Sequence, residues 1–129
     1  MPADCLVDSS VWVDYYRDHS RSLAPILDPL IRDGRVATCG PVLAEVLQGA
    51  RSPKQAEALV QDQQALVWLE TDAPAWVLAS ELAREARRGQ GVVGLADCVI
   101  AAVAKQNHCR VLTRDKDFLR LKGVDVKLL

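Results

Sequence analysis

Five acidic side chains stand where acids are costly or where ligands gather. Glu45 lies within Leu43-Ala44-Glu45-Val46-Leu47 and Asp97 within Leu95-Ala96-Asp97-Cys98-Val99; a carboxylate on such an apolar helix turn costs desolvation unless something pairs with it. Asp8 directly follows the apolar stretch Cys5-Leu6-Val7, and Asp115 and Asp117 follow Val111-Leu112-Thr113. In an open parallel α/β sheet, ligands sit beyond the carboxyl ends of the strands, so all five acids have a common destination. Carboxylates gathered there repel, and some must take up protons unless a cation joins them. A divalent ion resolves the conflict, and an all-oxygen donor set favours Mg²⁺ or Mn²⁺ over zinc. Such a centre suits phosphodiester cleavage by a metal-activated water.

Each acid also has a simpler reading. Asp8, Asp115 and Asp117 each suit a helix N-cap, Asp97 complements a helix dipole, and Glu45 fits an ion-paired surface. Five separate explanations leave the shared location unexplained. Ser9, Ser10 and Thr113 are either capping hydroxyls or groups that orient the acids and a water, Thr113 and Ser9 being the two assigned to that second role.

The elements that must position these residues follow from periodicity. Cys5 to Val7 reads as a strand, followed by a helix capped at Asp8-Ser9-Ser10. Leu23, Ile26, Leu27, Leu30 and Ile31 recur at helical spacing and stop at Asp33-Gly34, before the extended stretch Val36 to Cys39. Gly40-Pro41 opens a helix that ends near Gly49. Ser52-Pro53 opens another, running toward Leu66. Val67 to Leu69 is a short strand, Ala73 to Arg88 a helix, Leu95 to Gln106 a buried helix, and Arg110 to Thr113 a strand. A brief helix over Asp117 to Leu121 leads through Gly123 to a last strand near Val124 to Val126. Strands alternating with helices predict an α/β fold with a mainly parallel sheet covered on both faces.

Composition bounds the rest. The 129 residues, half of them hydrophobic and 26% charged, predict one globular domain over residues 1–129. The longest apolar run, Cys98 to Ala104, is seven residues, against roughly 20 for a membrane span. The early acids Asp4 and Asp8 do not suit a secretory signal, so the expected location is cytoplasmic. Cys5, Cys39, Cys98 and Cys109 form no Cys-x-x-Cys pair and read as buried hydrophobes, and His19 and His108 add no zinc site. A net charge of −1 leaves nucleic-acid contact to local patches. Trp12, Trp68 and Trp76 read as packing residues, one of them a candidate for an interface, and Arg84, Arg87 and Arg88 as a solvated helix end.

Four segments together resemble the motifs of PIN-domain ribonucleases, above all the toxins of VapBC toxin–antitoxin modules. They are Leu6-Val7-Asp8-Ser9-Ser10-Val11-Trp12, Ala44-Glu45-Val46-Leu47-Gln48-Gly49, Gly94 through Ala102 around Asp97, and Leu112-Thr113-Arg114-Asp115-Lys116-Asp117-Phe118. The resemblance implies a three-layer α/β/α sandwich with about five strands, Mg²⁺- or Mn²⁺-dependent endoribonuclease activity on an RNA substrate, and a homodimer neutralised by a VapB-type antitoxin. It places Asp8, Glu45, Asp97 and Asp115 on the catalytic acidic positions, with Asp8, Asp97 and Asp115 as metal ligands, Asp117 as an alternative fourth acid, and Thr113 on the hydroxyl position of the last motif. Cys98 departs from the smaller residue common there. The implied cleavage by water leaves a 5′-phosphate and a 3′-hydroxyl.

Two other classes share features with this chain. A phosphoacceptor receiver domain has a similar length and an acidic Mg²⁺ pocket, but it resembles a pattern with adjacent acids after the first strand, where Ser9-Ser10 follow Asp8 here. A non-catalytic binding module would use all five acids as caps, and divalent ions would then leave its melting temperature unchanged.

Overall fold

The computed structural model describes residues 2–17, 21–89 and 91–129; His19 lies outside them. In chain order the elements are β1 (Cys5–Val7), α1 (Ser9–Arg17), α2 (Ala24–Arg32), β2 (Val36–Cys39), α3 (Gly40–Gln48), α4 (Pro53–Gln64), β3 (Val67–Leu69), α5 (Ala73–Arg88), α6 (Leu95–Gln106), β4 (Arg110–Thr113), a short 3₁₀ helix (Lys116–Arg120) and β5 (Val126–Leu128). The helix starts carry the expected signals. Ser52 accepts the Gln55 amide at 3.1 Å and Asp72 the Ala75 amide at 3.0 Å, each one residue ahead of the helix it caps. Gly34, at φ +71°, makes the turn from α2 into β2 that a side chain would strain.

The five strands form one sheet in the order β3-β2-β1-β4-β5 with every pairing parallel. The chain steps outward from β1 to β2 and β3, then returns past β1 to β4 and β5. Right-handed crossovers place helices reached in opposite directions on opposite faces, which yields the three-layer α/β/α arrangement. The reversal lies between β1 and β4, so the crevice where such sheets bind ligands opens beyond Val7 and Thr113.

The core holds Leu6, Val7, Trp12, Leu27, Ile100 and Phe118, all fully buried or nearly so. Every residue from Cys98 to Ala104 is buried, as expected of a helix apolar on all sides; α6 contacts α5, α3 and β4. A polar chain crosses this core: Thr38 Oγ1 donates to Gln63 Oε1 at 2.7 Å, and Gln63 Nε2 donates to the Tyr16 hydroxyl at 3.2 Å. All four cysteines are buried and free, as their apolar neighbours imply.

Three expectations shift. The last strand is Val126–Leu128 rather than Val124 to Val126. Val124, Val126 and Leu128 alternate evenly, so the pattern alone fits either frame, and pairing of Val126 with Val111 and Leu128 with Thr113 decides it. The brief helix after Asp115 is 3₁₀ and begins one residue early, at Lys116. Trp12 is core, whereas Trp68 and Trp76 are 38% and 51% exposed.

Candidate active site

The crevice beyond β1 and β4 collects all five acids. Asp8, 2% exposed, leaves β1 with its amide donating to the Leu112 carbonyl of β4 at 2.9 Å. Glu45 projects from α3, Asp97 from the first turn of α6, and Asp115 and Asp117 from the loop and 3₁₀ helix that follow β4. Carboxylate oxygens of Asp8, Glu45 and Asp97 lie within 4.8 Å of one another, and so do those of Asp97, Asp115 and Asp117. Asp97 belongs to both trios and joins them into one cluster.

Hydroxyls organise the first trio. Ser10 Oγ and Thr113 Oγ1 donate to Asp8 Oδ2 at 2.7 and 2.9 Å, while Ser9 Oγ donates to Glu45 Oε1 at 2.9 Å. Thr113 also accepts the Asp115 amide at 3.0 Å, and Ser10 accepts the Arg114 amide at 3.0 Å. The fully buried Thr113 hydroxyl therefore ties Asp8 at the end of β1 to the loop carrying Asp115. Replacing it with the near-isosteric valine leaves the Asp115 amide without that acceptor and Asp8 without that donor. Thr113→Val should lower stability by about 1–2 kcal/mol and the affinity of the acidic cluster for a divalent cation by about 10–100-fold. A thermal melt run beside a Mn²⁺ titration checks both; unchanged values would remove Thr113 from the cluster.

Capping and clustering coexist. Asp115 Oδ1 accepts the Asp117 amide at 2.9 Å and caps the 3₁₀ helix, yet the same side chain belongs to the acidic cluster. The ionisation of Asp97 records the crowding. Burial first, then the neighbouring charges of Asp8, Asp115, Glu45 and Asp117, push its pKa up to about 7. These donors are oxygens only, half-buried except for Asp8, and they fit a hard divalent cation that would cancel the repulsion.

All the anticipated acids thus meet in one place, and Ser9 and Thr113 donate hydrogen bonds to Glu45 and Asp8. Ser10, which the sequence leaves open between cap and site, proves to be a principal partner of Asp8. Arg120 escaped notice altogether: its Nη1 donates to Asp117 Oδ1 at 3.1 Å. The i,i+3 spacing from an acidic residue was the available signal. Arg84, Arg87 and Arg88 are exposed and lie at the end of α5.

Beside the cluster, an apolar depression of about 540 Å³ is lined by Gly40, Pro41, Ala44, Trp68, Trp76 and Leu95, among others. Within the described residues, no helix is long and apolar enough to cross a membrane.

Comparison with known proteins agrees with this geometry. Residues 5–124 match the PIN domain family. Ribonuclease VapC11 of Mycobacterium tuberculosis is 34% identical over 117 residues, covering 88% of this chain and 87% of that protein. Among solved structures, VapBC2 from Rickettsia felis, bound to a DNA fragment from its promoter, superposes with a TM-score of 0.84 at 19% identity over 100% of this chain and 99% of the other. DNA-bound VapBC from Salmonella typhimurium gives 0.83 at 20% identity, covering 98% of each chain. Fold, motif order and relatives agree, and the chain belongs to the PIN-domain family, among the VapC ribonucleases.

Proposed function

We propose that residues 1–129 act as one metal-dependent endoribonuclease domain, the toxin of a VapBC-type module, and that Asp8, Glu45, Asp97 and Asp115 form its active site. The convergence of acids from four separate parts of the chain at the switch point of the sheet carries this reading. Asp8, Asp97 and Asp115 would hold Mg²⁺ or Mn²⁺, with Glu45 completing the cluster. When bound, the ion supplies charge neutralisation and activates water for attack on a phosphodiester.

The chain's own groups prepare that chemistry. Ser10 and Thr113 both donate to Asp8 Oδ2, which commits that oxygen to the protein, while the Ser9 hydroxyl lies 3.4 Å from Oδ1. Ser9 steadies Glu45. Asp97, whose pKa the metal-free cluster pushes up to about 7, would be held ionised by a bound cation. A water nucleophile places its oxygen on phosphorus and expels the 3′-oxygen, leaving a 5′-phosphate and a 3′-hydroxyl. The RNA 2′-hydroxyl takes no part, so preference for RNA rests on binding shape.

A VapB-type antitoxin is the proposed protein partner, in keeping with the VapBC naming of the relatives. A second copy of the chain is the other, and the exposed Trp68, Trp76 and Leu95 beside the site form the apolar face that a dimer would cover.

Mapping the ends of digested RNA tests the reaction. Products that a 5′-phosphate-dependent exonuclease degrades are expected. Fragments ending in 2′,3′-cyclic phosphate would mean that the 2′-hydroxyl is the nucleophile and would overturn the proposed chemistry.

A further inference from the structure

Two carboxylates, Asp115 and Asp117, leave the same loop toward the same cluster, but their partners differ in kind. Asp115 faces neutral groups: its Oδ1 accepts the Asp117 amide, and its own amide donates to Thr113 Oγ1, which in turn donates to Asp8. Asp117 faces a cation. Arg120 Nη1 donates to Asp117 Oδ1 at 3.1 Å, and the remaining Arg120 nitrogens, Nε and Nη2, are buried and find no acceptor among the described residues. Nη2 lies beside Gly91, 3.1 Å from where a β-carbon would stand, so the glycine leaves the space the guanidinium occupies. Among the described residues, Asp117 is the carboxylate that pairs with this guanidinium. The pair is only part-buried, its side chains 28% and 45% exposed, so drawing Asp117 onto a metal ion forgoes a modest ion pair and takes from the guanidinium the one acceptor it has among the described residues.

Resting on the metal-centre reading above, we propose that Arg120 is a positioning residue that holds Asp117 back from the metal, leaving Asp115 as the carboxylate this loop supplies. Arg120 thereby sets how many acids the centre uses. With Arg120 removed, Asp117 Oδ1 is released and the carboxylate, already within 4.8 Å of the Asp97 and Asp115 oxygens, is free to serve as a ligand. The arginine acts through Asp117 and touches neither the metal nor the RNA.

The test reads Mn²⁺ affinity by calorimetry, independent of cleavage. Asp115→Asn should weaken binding by about tenfold or more. Adding Arg120→Gln to that variant should recover at least about threefold, as the released Asp117 takes the vacant role, whereas Arg120→Lys, which keeps the charge, should recover less. The recovery must vanish when Asp117→Asn is added as well, which separates ligand release from the mere loss of a positive charge. Deleting the pair together, Asp117→Asn with Arg120→Gln, leaves Asp115 in place and should keep Mn²⁺ affinity within about threefold of wild type; this arm also bypasses any folding defect of an unpaired Arg120. No recovery by Arg120→Gln in a folded Asp115→Asn protein, or a loss on pair deletion as large as that from Asp115→Asn, would overturn the proposal while leaving the metal centre standing. A wild-type protein that binds no Mn²⁺ would overturn both.

Discussion

Replacing Asp97 with asparagine should abolish RNA cleavage and, in chelator, raise the melting temperature. Burial and four neighbouring carboxylates lift the Asp97 pKa to about 7 from an ordinary value of 3.8. The metal-free folded state therefore holds a proton there that the unfolded chain releases near pH 4. Between those two values the folded state binds more protons, so stability falls as pH rises, and the full cost is present above pH 7. Asparagine removes the charge and the cost with it. Discounting for partial exposure, the gain at pH 8 is about 1–2 kcal/mol, or roughly 3–10 °C in Tm for a domain of this size. At pH 4 the two proteins should melt together. Activity moves the other way, falling on the order of 1,000-fold or more, beyond the effect of losing an outer hydrogen-bond partner of a ligand. Saturating Mn²⁺ should then stabilise wild type more than the variant, because only the wild type regains the missing counter-charge.

Asp8→Ala should be equally inactive and should be less stable, even though it too removes a charge from the cluster. Asp8 is nearly fully buried and accepts strong hydrogen bonds from Ser10 and Thr113. Truncation strips those donors of their acceptor at the junction of β1, α1 and β4. Relief of repulsion on Asp97 offsets part of the loss, and the net cost is about 1–3 kcal/mol. A chemical denaturation curve in chelator measures it. The two variants thus separate the metal centre from the capping explanation. Caps would make both substitutions destabilising or neutral, whereas the shared site makes Asp97→Asn stabilising and Asp8→Ala destabilising in the same buffer.

The acids were legible in the sequence because two kinds of signal pointed to them. Asp8, Asp115 and Asp117 stand at the ends of short apolar strands, and a parallel sheet sends all such ends to one edge. Glu45 and Asp97 interrupt apolar helix turns, where an unpaired charge is costly enough to need a reason. The pairing of hydroxyls with acids was not legible. Ser9 and Ser10 are adjacent, and the packing of α1 against α3 brings Ser9 to Glu45, while Ser10 turns back two residues to Asp8 and meets the Arg114 amide after β4. Trp68 and Trp76 misled because residue type alone does not fix burial at a single position; they lie beside the site on an apolar face rather than in the core. The frame of β5 depended on hydrogen bonds to β4 that an evenly alternating segment does not encode. Arg120 was hidden for a similar reason, since its meaning rests on two nitrogens that find no acceptor among the described residues.

At the centre of the proposal, Asp8, Glu45, Asp97 and Asp115 form one metal-dependent active site for cutting RNA. Incubating purified wild type, Asp97→Asn and Asp8→Ala with total cellular RNA, in Mn²⁺ and in EDTA, tests it most directly. Discrete fragments from wild type in Mn²⁺ alone, absent with chelator and absent from both variants, are the predicted result. Cleavage that persists in EDTA, or in either variant at the wild-type rate, would contradict the account, as would intact RNA from folded, antitoxin-free protein in every lane.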